Sequence, residues 1–422
     1  MKAVGIIAEY NPFHNGHSYH MEKAKELTGA DYIIAVISGD FVQRGMPALL
    51  DKYLRCEMAL RSGADLVLEL PAAYATASAE SFAMGAVSLI DKLGVADFLY
   101  FGSECGDIGM LSALAGHLRE ESPAFKEAIQ KELREGHTYP AARERAIESC
   151  RKTEILSATE EMTCDDLQQL LNEPNNILAL EYLKSLKRRN SSLIPITIKR
   201  EHAGYHDMSV QRTFSSAEAI RALYPSERQP DLSGLVPVEV LNIMEREYQK
   251  RFPILPDDFS LCLYYRLLME KGQNISLPLY QDVSRDLGQR IYNELPSFRD
   301  YESYALHIKT KQYTLTRINR ALTHILLNIR AKDYQFYSLH DFIPYARVLG
   351  FRKKSSALLS AIKQNSSIPL ITKLADAEGL LNTCGKKMLW QDIFAANLYR
   401  KVQEEKFKTV LENEYTEGLR IL

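Results

Sequence analysis

The chain is 422 residues long, 46% hydrophobic and 25% charged, with 52 Lys and Arg against 54 Asp and Glu for a formal net charge of -2 at pH 7. That length suits two or three domains with cores of their own, and the composition is that of an ordinary soluble protein. The overall charge points to no particular partner. No apolar run reaches the length of a membrane span and the N-terminus lacks the basic-then-apolar plan of a signal peptide, so a cytoplasmic protein without membrane contact is expected. Six cysteines, Cys56, Cys105, Cys150, Cys164, Cys262 and Cys384, are scattered without a C-x-x-C pair or a histidine at ligand spacing. This argues against a disulfide framework or structural zinc and for reduced, mostly buried thiols, and no metal ligands are predicted.

In chain order, the first informative stretch is Gly5-Ile6-Ile7-Ala8-Glu9-Tyr10-Asn11-Pro12-Phe13-His14-Asn15-Gly16-His17-Ser18-Tyr19-His20. Val4 to Ala8 reads as a buried strand, Asn11-Pro12 breaks it, and a helical pattern follows from His17. A strand-to-helix junction suits phosphate, because the first N–H groups of a helix lack intrahelical partners and the macrodipole adds positive potential. Gly16 is expected to let a phosphate approach the backbone. His14 and His17, spaced H-x-G-H, are expected to donate hydrogen bonds to a phosphoryl group under attack. The competing reading has both histidines capping or packing locally. In this placement the motif resembles that of the nucleotidyltransferase superfamily, which acts at the α-phosphate of ATP.

Apolar runs at Tyr32–Ile37, Asp65–Leu70 and Asp97–Phe101 alternate with helical stretches at about Lys52–Ser62 and Ser78–Leu93. Continuous apolar strands between helices predict a parallel sheet covered on both faces, with ligands beyond the carboxyl ends of the strands. Three loops fall at that edge: Ser38 to Gly45, Glu69-Leu70-Pro71, and Phe101-Gly102-Ser103-Glu104. Gly102 is expected to let an adenine or ribose lie on bare backbone, with Asp40, Gln43 and Arg44 on the acceptor side. Residues from about 106 to 171 read as a charged helical insertion without assigned chemistry. Pro174-Asn175-Asn176 reads as a helix start in which an asparagine either caps the helix or bonds a nucleotide. A further strand, Leu193–Ile198, delivers Lys199 and Arg200 to the same edge.

Thr213 to Arg221 carries a capping signature. It also resembles the superfamily's second phosphate motif, in which Ser215, Ser216 and the helix start hold the leaving phosphates while Arg221 neutralises departing pyrophosphate. Ala217-Glu218 stands where a threonine is often found, so Glu218 is expected to point away. After a Pro/Gly/Ser boundary at about 224–237 the periodicity is helical, from Val238 to Lys250, Leu261 to Met269 and Thr316 to Ile329. From Lys309 to Lys387 there are 14 Lys and Arg against 4 Asp and Glu. Arg317, Arg320, Arg347, Arg352, Lys353 and Lys354 are therefore candidates for RNA phosphates. Tyr313, Tyr337 and Tyr345 among them could be core residues or platforms for unpaired bases. The expected architecture is α/β: a Rossmann-like catalytic domain with a parallel sheet over residues 1–225, then a mainly helical, basic domain over 226–422 suited to RNA, which the resemblance described next makes a tRNA-binding domain.

Over essentially its whole length the chain resembles the bacterial tRNA(Met) cytidine acetate ligases. The resemblance rests on Gly5 to His17, Ser38 to Gly45, Phe101 to Glu104, Pro174 to Leu178, Lys199-Arg200 and Tyr345-Ala346-Arg347-Val348-Leu349-Gly350-Phe351. It implies ATP-dependent acetylation of N4 of the wobble cytidine in elongator tRNA(Met), with free acetate as acyl source and Mg²⁺ on the phosphates. It further implies ATP contacts at Ile7 to His20, at Gly102, at Asn175 or Asn176, and at Arg200. The rival expectations are an adenylyltransferase acting on a cofactor precursor and a non-catalytic RNA-binding protein.

Overall fold

β1 (Ala3–Ala8) alternates its side chains between two cores, Val4 and Ile6 on one face and Ala3 on the other. Strand periodicity of two sorts β2 (Tyr32–Ser38) in the same way, with Ile33, Ala35 and Ile37 opposed to Ile34 and Val36. The computed structural model describes residues 1–117, 123–135, 142, 145, 170, 173–200, 216–224 and 229–422. After β2 comes a small hairpin of β3 (Phe41–Val42) and β4 (Met46–Pro47), then β5 (Leu66–Leu70), β6 (Phe98–Ser103) and β7 (Ile194–Lys199). β8 (Ala346–Phe351), β9 (Leu370–Ile371) and β10 (Arg420–Ile421) complete the set.

The main sheet runs β10-β8-β5-β2-β1-β6-β7, with β9 beside β8. From β5 to β7 all neighbours are parallel, as the apolar runs predict. Strand order reverses at β1, whose neighbours are β2 and β6, and this reversal opens a crevice beyond their carboxyl ends. Helices α1 (Asn15–Thr28) and α2 (Lys52–Arg61) cover one face. The other face is covered by α3 (Ala72–Ala75), α4 (Ala79–Lys92), α5 (Ile108–His117), residues of α6 (Pro123–Arg134), and α7 (Pro174–Arg189). Contact is close: a Cβ on Gly5 would meet Ile90 of α4 at 2.8 Å. A short helix, α8 (Ala217–Leu223), returns to the first face through buried Ile220.

The last hundred residues differ from the expectation. Helices such as Leu315–Leu326 and Thr383–Phe407 are present, but β8 inserts antiparallel beside β5, with Glu69 opposite Arg347 and Leu66 opposite Phe351. β9 and β10 then pair with β8. Residues beyond 226 therefore complete the sheet of the first 225, so the helical segment is not a separate body hung on a linker. The reason lies in β8 itself, whose run Ala346–Leu349 is fully buried and needs a sheet neighbour to satisfy its backbone. Tyr313, Tyr337 and Tyr345 are core residues, each under 10% exposed, which removes them as platforms for bases. Of the cysteines, Cys56, Cys105, Cys262 and Cys384 are free thiols and Cys150 and Cys164 lie outside the described residues. Among the described residues no helix is long and apolar enough to cross a membrane.

Candidate active site

A cleft of about 360 Å³ opens at the carboxyl ends of β1, β6 and β7. The ends of β1 and β2 are fixed from beneath by Arg55, a fully buried residue of α2. Its guanidinium donates to the carbonyls of Glu9 (2.7 Å), Ser38 (2.9 Å) and Gly39, and its Nε to Leu50 O (2.9 Å). Four carbonyls, three of them at the ends of β1 and β2, are satisfied by one side chain. No motif in the sequence singles out this arginine, since it reads as one more charge on a helix.

The start of α1 is built from the two histidines. His14 is the N-cap, with φ -142° and ψ 174°. Gly16 N–H donates to His14 Nδ1 (3.1 Å) and His14 N–H donates to His17 Nδ1 (3.2 Å), and the two rings stack at 3.8 Å. With Nδ1 accepting in both rings, each proton sits on Nε2, so both imidazoles keep one ring donor apiece. Burial holds His14, His17 and His20 well below the usual imidazole range, and the Arg200 charge lowers all three further. The site thus presents neutral N–H donors, and the capping and phosphate-binding readings of the motif are compatible. Gly16 has a more specific reason than expected: a Cβ there would meet the His14 ring at 2.9 Å.

Around these rings the cleft gathers Ile7, Ala8, Glu9, Tyr10 and Asn11 as well as Tyr19 and His20 of the opening stretch. Pro12, Phe13, Asn15 and Ser18 do not line it: Phe13 is core, and the Asn15 amide donates to Gly234 O (2.7 Å). Arg221 reaches across from α8 to donate to Asn11 O (2.5 Å). Arg200 follows β7, tied by its N–H to Ser103 O (2.9 Å), and lies against Gly102, where a Cβ would come within 3.1 Å of its side chain. Gly102 therefore leaves room for Arg200 and His20 as well as for a ligand. Ser216 caps α8 by accepting from Ala219 N–H (3.1 Å). Ser215 lies outside the described residues.

The two asparagines separate. Asn176 is buried and its Oδ1 accepts from Glu104 and Cys105 N–H (3.0 and 3.1 Å), while Asn175 faces the cleft with its Nδ2 donating to Glu104 Oε1 (2.6 Å). Neither caps α7, whose N-cap is Glu173. Phe82, Phe101, Leu178 and Tyr182 form an apolar wall that the sequence reading did not find, with Phe101 and Tyr182 rings 5.5 Å apart. They come from three elements, α4, β6 and α7, and only Leu178 and Tyr182, one turn apart on α7, are linked by local spacing.

On the acceptor side Gln43 and Arg44 line the cleft, and Arg44 Nη1 lies 3.0 Å from Glu218 Oε2. Glu218 also lines the cleft and does not point away, because Arg44 neutralises it. Asp40 is buried and accepts from Lys52 N–H (2.8 Å), which removes it from the acceptor side. Arg347 is 4% exposed and paired with Glu69 (2.9 Å) and Glu414, so it is no RNA contact. The burial of its strand put the charge inside. Arg352 and Lys353–Lys354 sit at the opposite, amino-terminal edge of β5, where Arg352 Nε donates to Leu60 O (2.8 Å). Arg320 pairs with Asp282 (2.8 Å), and Arg317 lies over the Tyr313 ring (5.1 Å). Among the described residues no three His, Cys, Asp or Glu converge as metal ligands.

Comparison with known proteins follows the same geometry. Residues 1–414 match the family model described as HIGH Nucleotidyl Transferase. The tRNA(Met) cytidine acetate ligase of Acetivibrio thermocellus is 38% identical, covering 100% of each chain, and that of a Thermoanaerobacter species is 41% identical over 94% of this chain and 95% of its own. A crystal structure of Thermotoga maritima TmcAL without ligand superposes with a TM-score of 0.91 at 31% identity over 100% of both chains. The same protein bound with alpha-thio ATP superposes at 0.86 with 30% identity, also over 100% of both chains.

Proposed function

Because the chain belongs to the tRNA(Met) cytidine acetate ligase family of HIGH nucleotidyltransferases, we propose that it activates acetate with ATP and acetylates N4 of the wobble cytidine of elongator tRNA(Met). An acetate oxygen attacks the α-phosphorus in line, the bond from that phosphorus to the bridging β-oxygen breaks, and pyrophosphate leaves with the electron pair. The exocyclic amine of the cytidine then attacks the acetyl carbonyl, loses a proton, and expels AMP. Such a substrate and co-substrate place the reaction in the cytoplasm.

The observation that carries this reading is the pair of neutral imidazoles at the start of α1, each with its proton on Nε2. Uncharged donors fixed before the reaction stabilise negative charge as it develops on the α-phosphoryl oxygens, with Arg200 and Arg221 supplying the permanent charge for the departing phosphates. The apolar wall beside Gly102 suits a purine ring, and the Asn175 amide suits the nucleotide's polar groups. Among the described residues no protein cage for Mg²⁺ is present. The cleft carboxylates Glu9 and Glu218 are already engaged, by Gln43 N–H (2.9 Å) and by Arg44, so a Mg²⁺ ion would be held by the phosphates and water.

For the tRNA, topology favours Arg317 over the other candidate cations. Its helix packs on the turn that carries Arg44, with Thr323 Oγ1 donating to Gly45 O (2.7 Å), and Arg317 lies on that same helix, nearer its start. The test is mass spectrometry of nucleosides from tRNA incubated with the protein, ATP and isotopically labelled acetate. Labelled N4-acetylcytidine that disappears with His17→Ala supports the reading. An adenylated small molecule, or no labelled nucleoside, overturns it.

A further inference from the structure

Arg44, Lys199, Arg200 and Arg221 bring permanent positive charge to the cleft. Two of them belong with the histidines: Arg200 acts electrostatically on His14, His17 and His20, and Arg221 acts on His14 and is anchored to Asn11 O. Arg44 stands on a different wall, in the turn between β3 and β4.

That turn is held from several directions. Gln43 N–H donates to Glu9 Oε1 (2.9 Å), Gly45 N–H to Val42 O (2.9 Å), and Thr323 Oγ1 to Gly45 O (2.7 Å). Gly45 has φ +72° and lies so near Asn319 and Arg320 that a Cβ would fall 2.2 Å from Arg320 N. A side chain at 45 would be excluded both by the left-handed backbone and by this approach. Arg44 is therefore presented to the cleft by a rigid support.

What Arg44 holds there is a carboxylate, that of Glu218 at 3.0 Å, with both side chains partly exposed to the cleft. A guanidinium matches a carboxylate in shape and charge, and its five donors allow one carboxylate to replace another without rebuilding the site. Acetate needs such a partner. It must bring a negative charge up to a triphosphate, one oxygen attacking while the other is held.

We infer that Arg44 is the receptor for the acetate carboxylate and that Glu218 fills this receptor until acetate displaces it. The inference rests on the ligase reading above and deepens it by assigning the carboxylate subsite. Ser216, Ala217 and Glu218 form the facing wall, so a small acid fits between the turn and α8. Glu218 acts as an internal competitor, which keeps Arg44 neutralised when acetate is absent.

The experiment is acetate-dependent exchange of labelled pyrophosphate into ATP with the full chain. Arg44→Ala should raise KM for acetate about 10–100-fold, the range for a lost charge-assisted contact, and leave KM for ATP within about twofold. Arg44→Lys should recover part of the loss, and Glu218→Gln should lower KM for acetate several-fold. An unchanged KM for acetate in Arg44→Ala, or an equal rise in KM for ATP, overturns the subsite, the latter placing Arg44 on the phosphates. A raised KM for acetate in Glu218→Gln overturns the competitor role. Should the wild type show no exchange, the ligase reading fails separately. NMR line broadening of labelled acetate in the presence of a non-hydrolysable ATP analogue then decides the subsite: broadening abolished by Arg44→Ala supports it, and broadening that survives Arg44→Ala, or none in the wild type, refutes it.

Discussion

At the carboxyl ends of β1, β6 and β7, Arg44, Arg200 and Arg221 line a cleft in which Glu9 and Glu218 are the carboxylates among the described residues. At the end of β5 the same residue types are sealed: Lys52 lies 2.8 Å from Glu69 and 2.9 Å from Glu414, and Arg347 lies 2.9 Å from Glu69 and also bonds Glu414, all four side chains under 10% exposed. One group of cations lines a cleft open to a ligand, and the other is sealed in joining β5 to β8 and to the C-terminal segment. Burial together with mutual pairing separates a site from a staple, and neither is written in the residue types. Removing a member of the sealed group should therefore cost stability, and removing one from the cleft should cost rate.

The largest effect is expected from breaking the sealed group. Arg347→Ala leaves Glu69 and Glu414 with Lys52 alone, and an uncompensated buried charge typically costs about 3–5 kcal/mol. Equilibrium denaturant unfolding measures the loss, and KM for ATP in the folded fraction should stay within about twofold. A stability change below about 1 kcal/mol would mean that water or rearrangement compensates the charges, and the contrast with the cleft would collapse.

Next in size is His17→Ala. Loss of one preorganised donor costs about 10²–10³ in the rate of pyrophosphate exchange, while stability should fall by only about 1 kcal/mol, the usual cost of one lost capping bond. The pH dependence sharpens this. His14 and His17 are held below the usual range, so their neutral forms persist as pH falls from roughly 8 to 6 and exchange should not drop through histidine protonation there. A decline with an apparent pKa near about 6.5 would show that the rings titrate as ordinary imidazoles.

The sealed group has its own acid signature. Burial tends to raise the Glu414 pKa, but Lys52 and Arg347 outweigh it and hold the carboxyl down to about 2 from an ordinary 4.5. Since the folded state releases this proton more readily than the unfolded one, the contribution is complete above the ordinary value and is lost as pH falls through about 2. The stability gap between wild type and Glu414→Gln should therefore be widest near neutral pH and shrink on acidification, as read from urea midpoints across that range. A gap constant with pH would mean that the charge of Glu414 is not what the pairing uses.

These contrasts also show what could be read from the sequence. The parallel sheet was legible because buried strands read as continuous apolar runs, and the opening motif because strand, turn and histidines adjoin in the chain. Arg347 was misread because sequence gives a charge without its partners, and Glu414 lies 67 residues away. β8 does not stand out from the helical pattern around it because its run is short enough to fit either structure. Phe82, Phe101, Leu178 and Tyr182 converge only through tertiary packing, and Arg55 has no signature because its four acceptors are backbone carbonyls.

The smallest effect is expected where basic residues are most exposed. β8 is antiparallel to β5, so Phe351 stands opposite Leu66 at the amino end and Arg347 opposite Glu69 near the carboxyl end. Lys353 and Lys354 therefore lie a strand's length from the cleft edge, roughly 15 Å at about 3.3 Å per residue. An anticodon loop whose base enters the cleft would meet Arg317 before it met them. Arg317→Glu should weaken tRNA binding roughly tenfold, with a shallower salt dependence, and leave pyrophosphate exchange unchanged. The double change Lys353→Glu with Lys354→Glu should move tRNA affinity by no more than about twofold, since charge at that range is largely screened at physiological salt. The reverse ranking would put the tRNA body along the amino edge of the sheet, reaching around to the cleft, so that tRNA shape and not strand direction would decide which cations it meets.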